Sequence, residues 1–263
     1  MKRLFAIACI AMVSEILSPA RGAVSRQDLA TVEVSLPANA AMPLELRLQG
    51  EDGATKPLRF WLGATPSIWV LADYTCETLC GPTLSIVSDA LAQSGLRPGA
   101  DFRLVAVGLD PKDTAADAAN MKQARVGAGN AIAAAAYFLR GDGTAIDALT
   151  TALGFRSAYD HDRDQYAHPA AAFVVAPDGR IARVLPALSV EPVNIRLALV
   201  DAGNGTVGTF TDHVRLLCYG YDPASGTYTV AIGRLLAASG GATIAALVLL
   251  ITLLLRRERV QRS

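Results

Sequence analysis

The sequence predicts an α/β domain with one central mixed sheet, joined to a single C-terminal transmembrane helix. Three observations predict it. Short apolar runs alternate with stretches of helical spacing, in the order strand, helix, strand, helix, strand, then hairpin and helix. The apolar run Ile68 to Ala72 hands over to a helical pattern at the pair Cys76 and Cys80. The chain is uncharged from Leu235 to Leu255, which is long enough to cross a hydrocarbon core.

Taken in order, residues 1–23 read as an export signal. Lys2 and Arg3 give a charged start, Leu4 to Val13 is a short apolar run holding Cys9, and Ser18, Ala20 and Ala23 supply small residues for cleavage. Residues 24–42 form a polar extension, and the folded domain spans 43–202. In it, Leu44 to Leu48 alternates as a half-buried strand does. Glu51-Asp52-Gly53 turns, and Pro57 to Phe60 reads as the return strand. After the Ile68–Ala72 strand, Leu79, Leu84, Val87 and Leu91 share a face on a helix from about Glu77 to Ser94, closed by Gly95. Phe102 to Leu109 is apolar almost throughout, as a strand covered on both faces is. Thr114 caps a helix running to about Arg125, with Asp117 completing a capping box. Tyr137 to Leu139 is a short strand, and Asp142-Gly143-Thr144 turns into a helix over Ala145 to Leu153, stopped by Gly154. Tyr159 to Asp164 reads as a polar loop. Ala170 to Ala176 and Arg180 to Leu185 flank Pro177-Asp178-Gly179, a hairpin signal. Pro192 opens the last helix, Val193 to Ala202.

Residues 203–234 are a glycine-rich connection, 235–255 the membrane helix and 256–263 a basic tail holding Arg256, Arg257, Arg259 and Arg262. Such a cluster marks the cytoplasmic side, so the domain lies across the membrane. Signal and anchor together predict a single-pass protein of the cell inner membrane, its domain in the periplasm and its C-terminus cytoplasmic. The 263 residues carry 24 Lys plus Arg against 24 Asp plus Glu, a net charge of +0. That balance leaves no basic field for nucleic acid.

The chemistry concentrates at Cys76 and Cys80. Positions four apart on a helix point the same way, so both sulfurs address one object. A helix start also favours a thiolate, through its unpaired N–H groups and positive dipole end. The object is either a sulfur partner in redox chemistry or a soft metal. Two thiolates suit Cu(I) or Zn, with His168, in Tyr166-Ala-His168-Pro169, as third donor. The same spacing also fits a structural disulfide or two core thiols.

A strand that delivers a cysteine pair to a helix start resembles the thioredoxin arrangement, here with three intervening residues. Further segments make the resemblance specific: Tyr74-Thr-Cys76-Glu-Thr-Leu-Cys80-Gly-Pro82, Leu109-Asp110-Pro111, Phe138-Leu-Arg-Gly-Asp142, Gly154-Phe155, Ala167-His168-Pro169 and Ala176-Pro-Asp-Gly179. With these the chain resembles the Sco/SenC family of copper-binding proteins that assist cytochrome c oxidase assembly. The tail Leu217-Cys218-Tyr219-Gly-Tyr221-Asp-Pro223 resembles a bacterial branch with a C-terminal anchor. The resemblance implies a thioredoxin-like fold and copper held by Cys76, Cys80 and His168. It implies a metallochaperone rather than an enzyme, with the copper-bearing subunit of cytochrome c oxidase as partner. The alternative is a thiol–disulfide oxidoreductase that uses Cys76 and Cys80 without His168. This chain has Glu77 where many relatives carry Pro, and an acidic neighbour raises a thiol pKa. Leu185-Pro-Ala-Leu-Ser189 also lacks the glycine expected there. Asp73 and Tyr74 flank the site, in position to tune it, and Asp110 reads as a strand end. His161 and His213 read as surface histidines, and Cys218 as an extra thiol outside the copper set.

Overall fold

The computed structural model describes residues 29–76, 80–209, 211–213, 216, 219–222, 227–230 and 239–252. Its elements in chain order are β1 (Glu33–Val34), β2 (Arg47–Gln49), β3 (Thr55–Pro57), α1 (Leu58–Leu62), β4 (Ser67–Ala72), α2 (Cys80–Gln93) and β5 (Arg103–Gly108). Then come α3 (Ala115–Arg125), α4 (Ala131–Ala135), β6 (Ala136–Leu139), α5 (Gly143–Ala152), β7 (Phe155–Arg156), β8 (Ala158–Asp160) and β9 (Gln165–Ala167). The order closes with β10 (Ala171–Val175), β11 (Ile181–Pro186), a 3₁₀ turn (Ala187–Ser189), α6 (Pro192–Ala202), β12 (Tyr219–Asp222) and β13 (Thr227–Val230).

The five-stranded central sheet runs β11-β10-β4-β5-β6. Strands β4, β5 and β6 are parallel, and β10 is antiparallel to both β4 and β11. The sheet is therefore mixed, as predicted. Its near-continuous apolar strands follow from burial on both faces. Ile68, Val70, Leu104, Ala106, Phe138, Ala172 and Val174 point to one side, where Leu84, Val87 and Leu91 of α2 and Ile195 and Leu199 of α6 cover them. Trp69, Leu71, Val105, Val107, Leu139, Phe173 and Val175 point to the other. Leu58, Trp61 and Leu62 of α1 and Ile146 and Leu149 of α5 close that side.

Three sequence expectations need correction. The return strand expected over Pro57 to Phe60 is a strand only to Pro57; Leu58–Leu62 is a helical turn. Leu58, Trp61 and Leu62 stand at i, i+3 and i+4, and all three are buried, so the helical period wins. The polar loop expected over Tyr159 to Asp164 holds a β8–β9 hairpin instead, pairing Tyr159 with Tyr166. Helix α5 starts at Gly143, because Asp142 is its cap and accepts from the Ala145 N–H. The Thr114–Asp117 capping box forms as predicted.

Packing continues past both ends of the 43–202 span. Strand β1 pairs with β7, and Met42 is buried. Gly154 lets β1 approach: its φ is +56°, and a Cβ there would lie 1.8 Å from the Ser35 carbonyl oxygen. Beyond Ala202, buried Asp212 pairs with Arg196 at 2.7 Å, and that ion pair holds its carboxyl well below the usual range. Residues 239–252 are helical, with Ile244, Leu247, Val248, Leu249, Leu250 and Ile251 exposed. No described helix is long and apolar enough to cross a membrane. Both ends of the expected 235–255 span lie outside the described residues, as do the 1–23 signal, Cys9, Glu77, Leu79 and Cys218.

Candidate metal centre

Strand β4 leaves the sheet at Ala72, and Asp73 organises the turn that leads to Cys76. Its Oδ1 accepts from the Thr75 N–H at 3.0 Å and the Thr75 hydroxyl at 2.9 Å. Its backbone carbonyl accepts from the Cys76 N–H at 3.3 Å. An Asp at a strand end favours such a turn, because its short side chain reaches the N–H two residues on. The other oxygen, Oδ2, accepts from the Tyr166 N–H of β9 at 2.9 Å. Asp73 is fully buried, so all three side-chain bonds are made away from solvent. One carboxylate thus ties the turn before Cys76 to the strand that ends next to His168.

Cys80 is the first described residue of α2, and Cys76 follows the turn at Tyr74 and Thr75. Both are buried, unlinked thiols in the apolar cluster under α2. The Cys80 thiol is hydrogen-bonded to Cys76 and lies 2.8 Å from His168 Nε2. On the far side of the ring, His168 Nδ1 is 3.0 Å from the Pro169 carbonyl oxygen. A carbonyl only accepts, so Nδ1 carries the proton and Nε2 presents a bare lone pair to Cys80. That is the tautomer an imidazole needs to bind a metal through Nε2. Phe155 packs against the ring, with 5.9 Å between centroids.

The electrostatics keep the pair neutral. The hydrogen bond to Cys76 as acceptor, burial and the charge of a Cys76 thiolate all push the Cys80 thiol up. Burial lowers His168, against the Pro169 carbonyl and the negative charge of Cys76 and Asp73. A protonated Cys80 thiol therefore faces a neutral imidazole. The sequence argument from the helix start favoured a thiolate; for Cys80, burial beside a second sulfur works against one. Among the described residues, no three His, Cys, Asp or Glu side chains are already grouped as a cage for a metal ion. Cys80 and His168 are held together as a hydrogen-bonded pair, with Cys76 beside Cys80.

Two further carboxylates lie beneath the cysteine turn. Asp113 Oδ2 is 3.5 Å from the Tyr74 N–H, and Gly108 leaves room for it, since a Cβ there would meet that oxygen at 2.5 Å. Asp110 turns the chain after β5 by accepting from the Lys112 N–H at 2.8 Å, consistent with a strand end. The Tyr74 hydroxyl donates to the Leu139 carbonyl at 2.9 Å and fixes the turn against β6. Sequence reasoning missed Asp113; its spacing from Asp110 was a visible signal, but its partner Tyr74 is 39 residues away. His161 is exposed, edge-on to Tyr159, and His213 Nδ1 meets the Thr209 carbonyl oxygen at 2.8 Å, so neither approaches the cysteines.

The family model described as SCO1/SenC matches residues 67–198, half of the chain. The chain belongs to the SCO1/SenC family. The SCO1/SenC match opens on β4 and ends in α6, and so takes in Cys76, Cys80 and His168. Solved structures agree on the fold. A putative electron transfer protein from Aquifex aeolicus VF5 superposes with a TM-score of 0.57 at 20% identity, covering 67% of this chain and 98% of that one. ScoI from Arabidopsis thaliana, solved with copper bound, gives 0.51 at 14% identity, covering 63% and 98%. BsSco, described as a Sco-family cytochrome c oxidase assembly protein with a disulfide switch, gives 0.50 at 17%, covering 65% and 97%. At these identities the likeness shows the shared thioredoxin-like fold. No curated protein matches the chain significantly.

Proposed function

We propose that this SCO1/SenC protein carries one copper ion on Cys76, Cys80 and His168 and passes it to the copper-bearing subunit of cytochrome c oxidase during assembly. The observation that carries the reading is the Cys80–His168 contact at 2.8 Å, with the imidazole proton held on Nδ1. Two soft sulfurs and one imidazole suit Cu(I), and a three-donor site leaves room for an incoming ligand. Uptake would exchange the Cys80 thiol proton for the ion. The copper bound in the Arabidopsis relative supports the cargo, and the description of BsSco as an oxidase assembly protein supports the destination.

The proposal places the domain in the periplasm, tethered through 235–255 to the membrane that holds the oxidase. Its support is the uncharged run, the arginines after it and the exposed apolar side chains over 244–251. Tethering raises the effective concentration of the partner.

The Cys76–Cys80 hydrogen bond supports a second reading, a dithiol that reduces disulfides of the oxidase or another exported protein. His168→Ala separates the two. Under the carrier reading the variant loses Cu(I) in competition with a chelator and fails to deliver it. Full copper delivery by the variant, together with undiminished disulfide reduction, selects the reductase.

A further inference from the structure

Helix α3 packs beside α2, with Ala118 and Met121 in the same apolar cluster as Cys80, Leu84 and Val87. Its last residue, Arg125, reaches across to the residue that follows Cys80. A Cβ on Gly81 would collide with Arg125 Nε and Cζ and stand 2.6 Å from Nη2, so the guanidinium lies directly against that backbone. Gly81 is helical and its φ is not positive, so the missing side chain serves this close approach rather than a turn. Lys122, one turn earlier on α3, is spent on Glu51 and the Ala136 carbonyl, both at 2.8 Å. The half-buried Arg125 guanidinium has no hydrogen bond or ion pair among the described residues. A charge held beside the cysteines and paired with nothing there calls for an anion that forms later.

We propose that Arg125 is the counter-charge of the copper-loaded site, a positioning residue that acts on the donors without touching the ion. The inference rests on the carrier reading above. Two thiols and a neutral imidazole carry no charge. Two thiolates, one Cu(I) and the same imidazole sum to a single negative charge. Loading therefore exchanges two protons for one Cu(I), moves no electron, and leaves an anion among buried side chains. That anion forms beside another, because Asp73 is buried and its charge already acts on Cys80 and His168. Gathering negative charge away from water is costly unless a cation stands close by. Arg125 supplies one that is permanent and weakly hydrated, held against the backbone next to a donor. A guanidinium has no lone pair to offer, so its effect on copper is through charge alone.

The test measures Cu(I) retention by the full chain against a competing chelator, together with the thermal midpoint of the metal-free chain. Arg125→Gln should hold Cu(I) about tenfold less tightly, the order of one charge acting through a protein-like dielectric. The gap from the parent should narrow at high salt. Arg125→Lys should keep most of the affinity. Gly81→Ala pushes the guanidinium aside and should weaken binding in the same direction, yet add no further loss in the Arg125→Gln background. The metal-free midpoints should stay close to the parent's, since Arg125 has no pair there to lose. Weaker binding that tracks a lowered metal-free midpoint, or that Arg125→Lys fails to restore, shows packing rather than charge and overturns the inference. A further loss from Gly81→Ala in the Arg125→Gln background overturns it as well. A parent that takes up no Cu(I) on Cys76, Cys80 and His168 overturns the carrier reading and this inference with it. A parent that does, beside an unchanged Arg125→Gln, overturns this inference alone.

Discussion

Replacing Asp113 with Asn should make the protein more stable at pH 8 and leave it nearly unchanged at pH 4. The carboxyl sits beneath the cysteine turn at 5% exposure, with one hydrogen bond, from Tyr74, and three acidic neighbours. Burial and the charge of Asp73 raise it from 3.8 to about 7. A folded-state value above the unfolded one means that the folded chain holds the proton longer. Stability then falls as pH rises from about 4 to about 7, because ionising the buried acid costs free energy that the unfolded chain avoids. At 1.36 kcal/mol per pH unit the gap amounts to at most about 4 kcal/mol. Relaxation and water penetration reduce this, and about 2 kcal/mol is expected. The amide oxygen of Asn keeps the bond from Tyr74 and never ionises. Urea unfolding of the full chain, followed by the fluorescence of Trp61 and Trp69, gives both stabilities across the pH range. The difference between variant and parent should grow steadily from pH 4 to 7 and then level off. A difference independent of pH, or a variant weaker than the parent at pH 8, would refute the reasoning.

The geometry gives three other expected outcomes. Asp73→Ala removes the acceptor for Thr75 and for Tyr166, so it should cost about 2–4 kcal/mol in the same unfolding assay. It should also weaken Cu(I) binding, because the strand that carries His168 loses its tie to the cysteine turn. Gly154→Ala should lower stability by about 2 kcal/mol or more, since its Cβ meets Ser35 and its φ is positive; an unchanged thermal midpoint would contradict the β1 packing. Cu(I) affinity should fall as pH falls, by about tenfold per unit for each thiol proton displaced. The raised Cys80 thiol still holds its proton at neutral pH, so at least one proton should appear in solution on copper uptake. Uptake without proton release would mean that Cys80 is not a donor.

The strand–helix alternation and the three donor candidates were legible because they rest on local pattern. Ile68 to Ala72 is apolar throughout, Thr114 and Asp117 stand three apart, and the cysteines stand four apart. The miss at Leu58–Leu62 shows the limit of that reading: five residues carry too little period to separate a helical turn from a strand until burial is known. The β8–β9 hairpin was hidden for a different reason. Its loop is acidic, and Lys112, from a turn after β5, pins it through Tyr159 and Asp164. The support of the site was also out of reach. Asp73 bonds Tyr166 across 93 residues and Asp113 meets Tyr74 across 39, separations on which local pattern is silent. The raised Cys80 thiol likewise depends on burial beside Cys76, which spacing alone does not give.

Copper K-edge X-ray absorption on the Cu(I)-loaded full chain counts the donor atoms directly. Two sulfurs and one imidazole nitrogen are expected around a single copper, with the nitrogen signal gone in His168→Ala and one sulfur gone in Cys76→Ser. An all-sulfur environment, or a nitrogen that survives removal of His168, would contradict the assignment of the carrier site to these three residues.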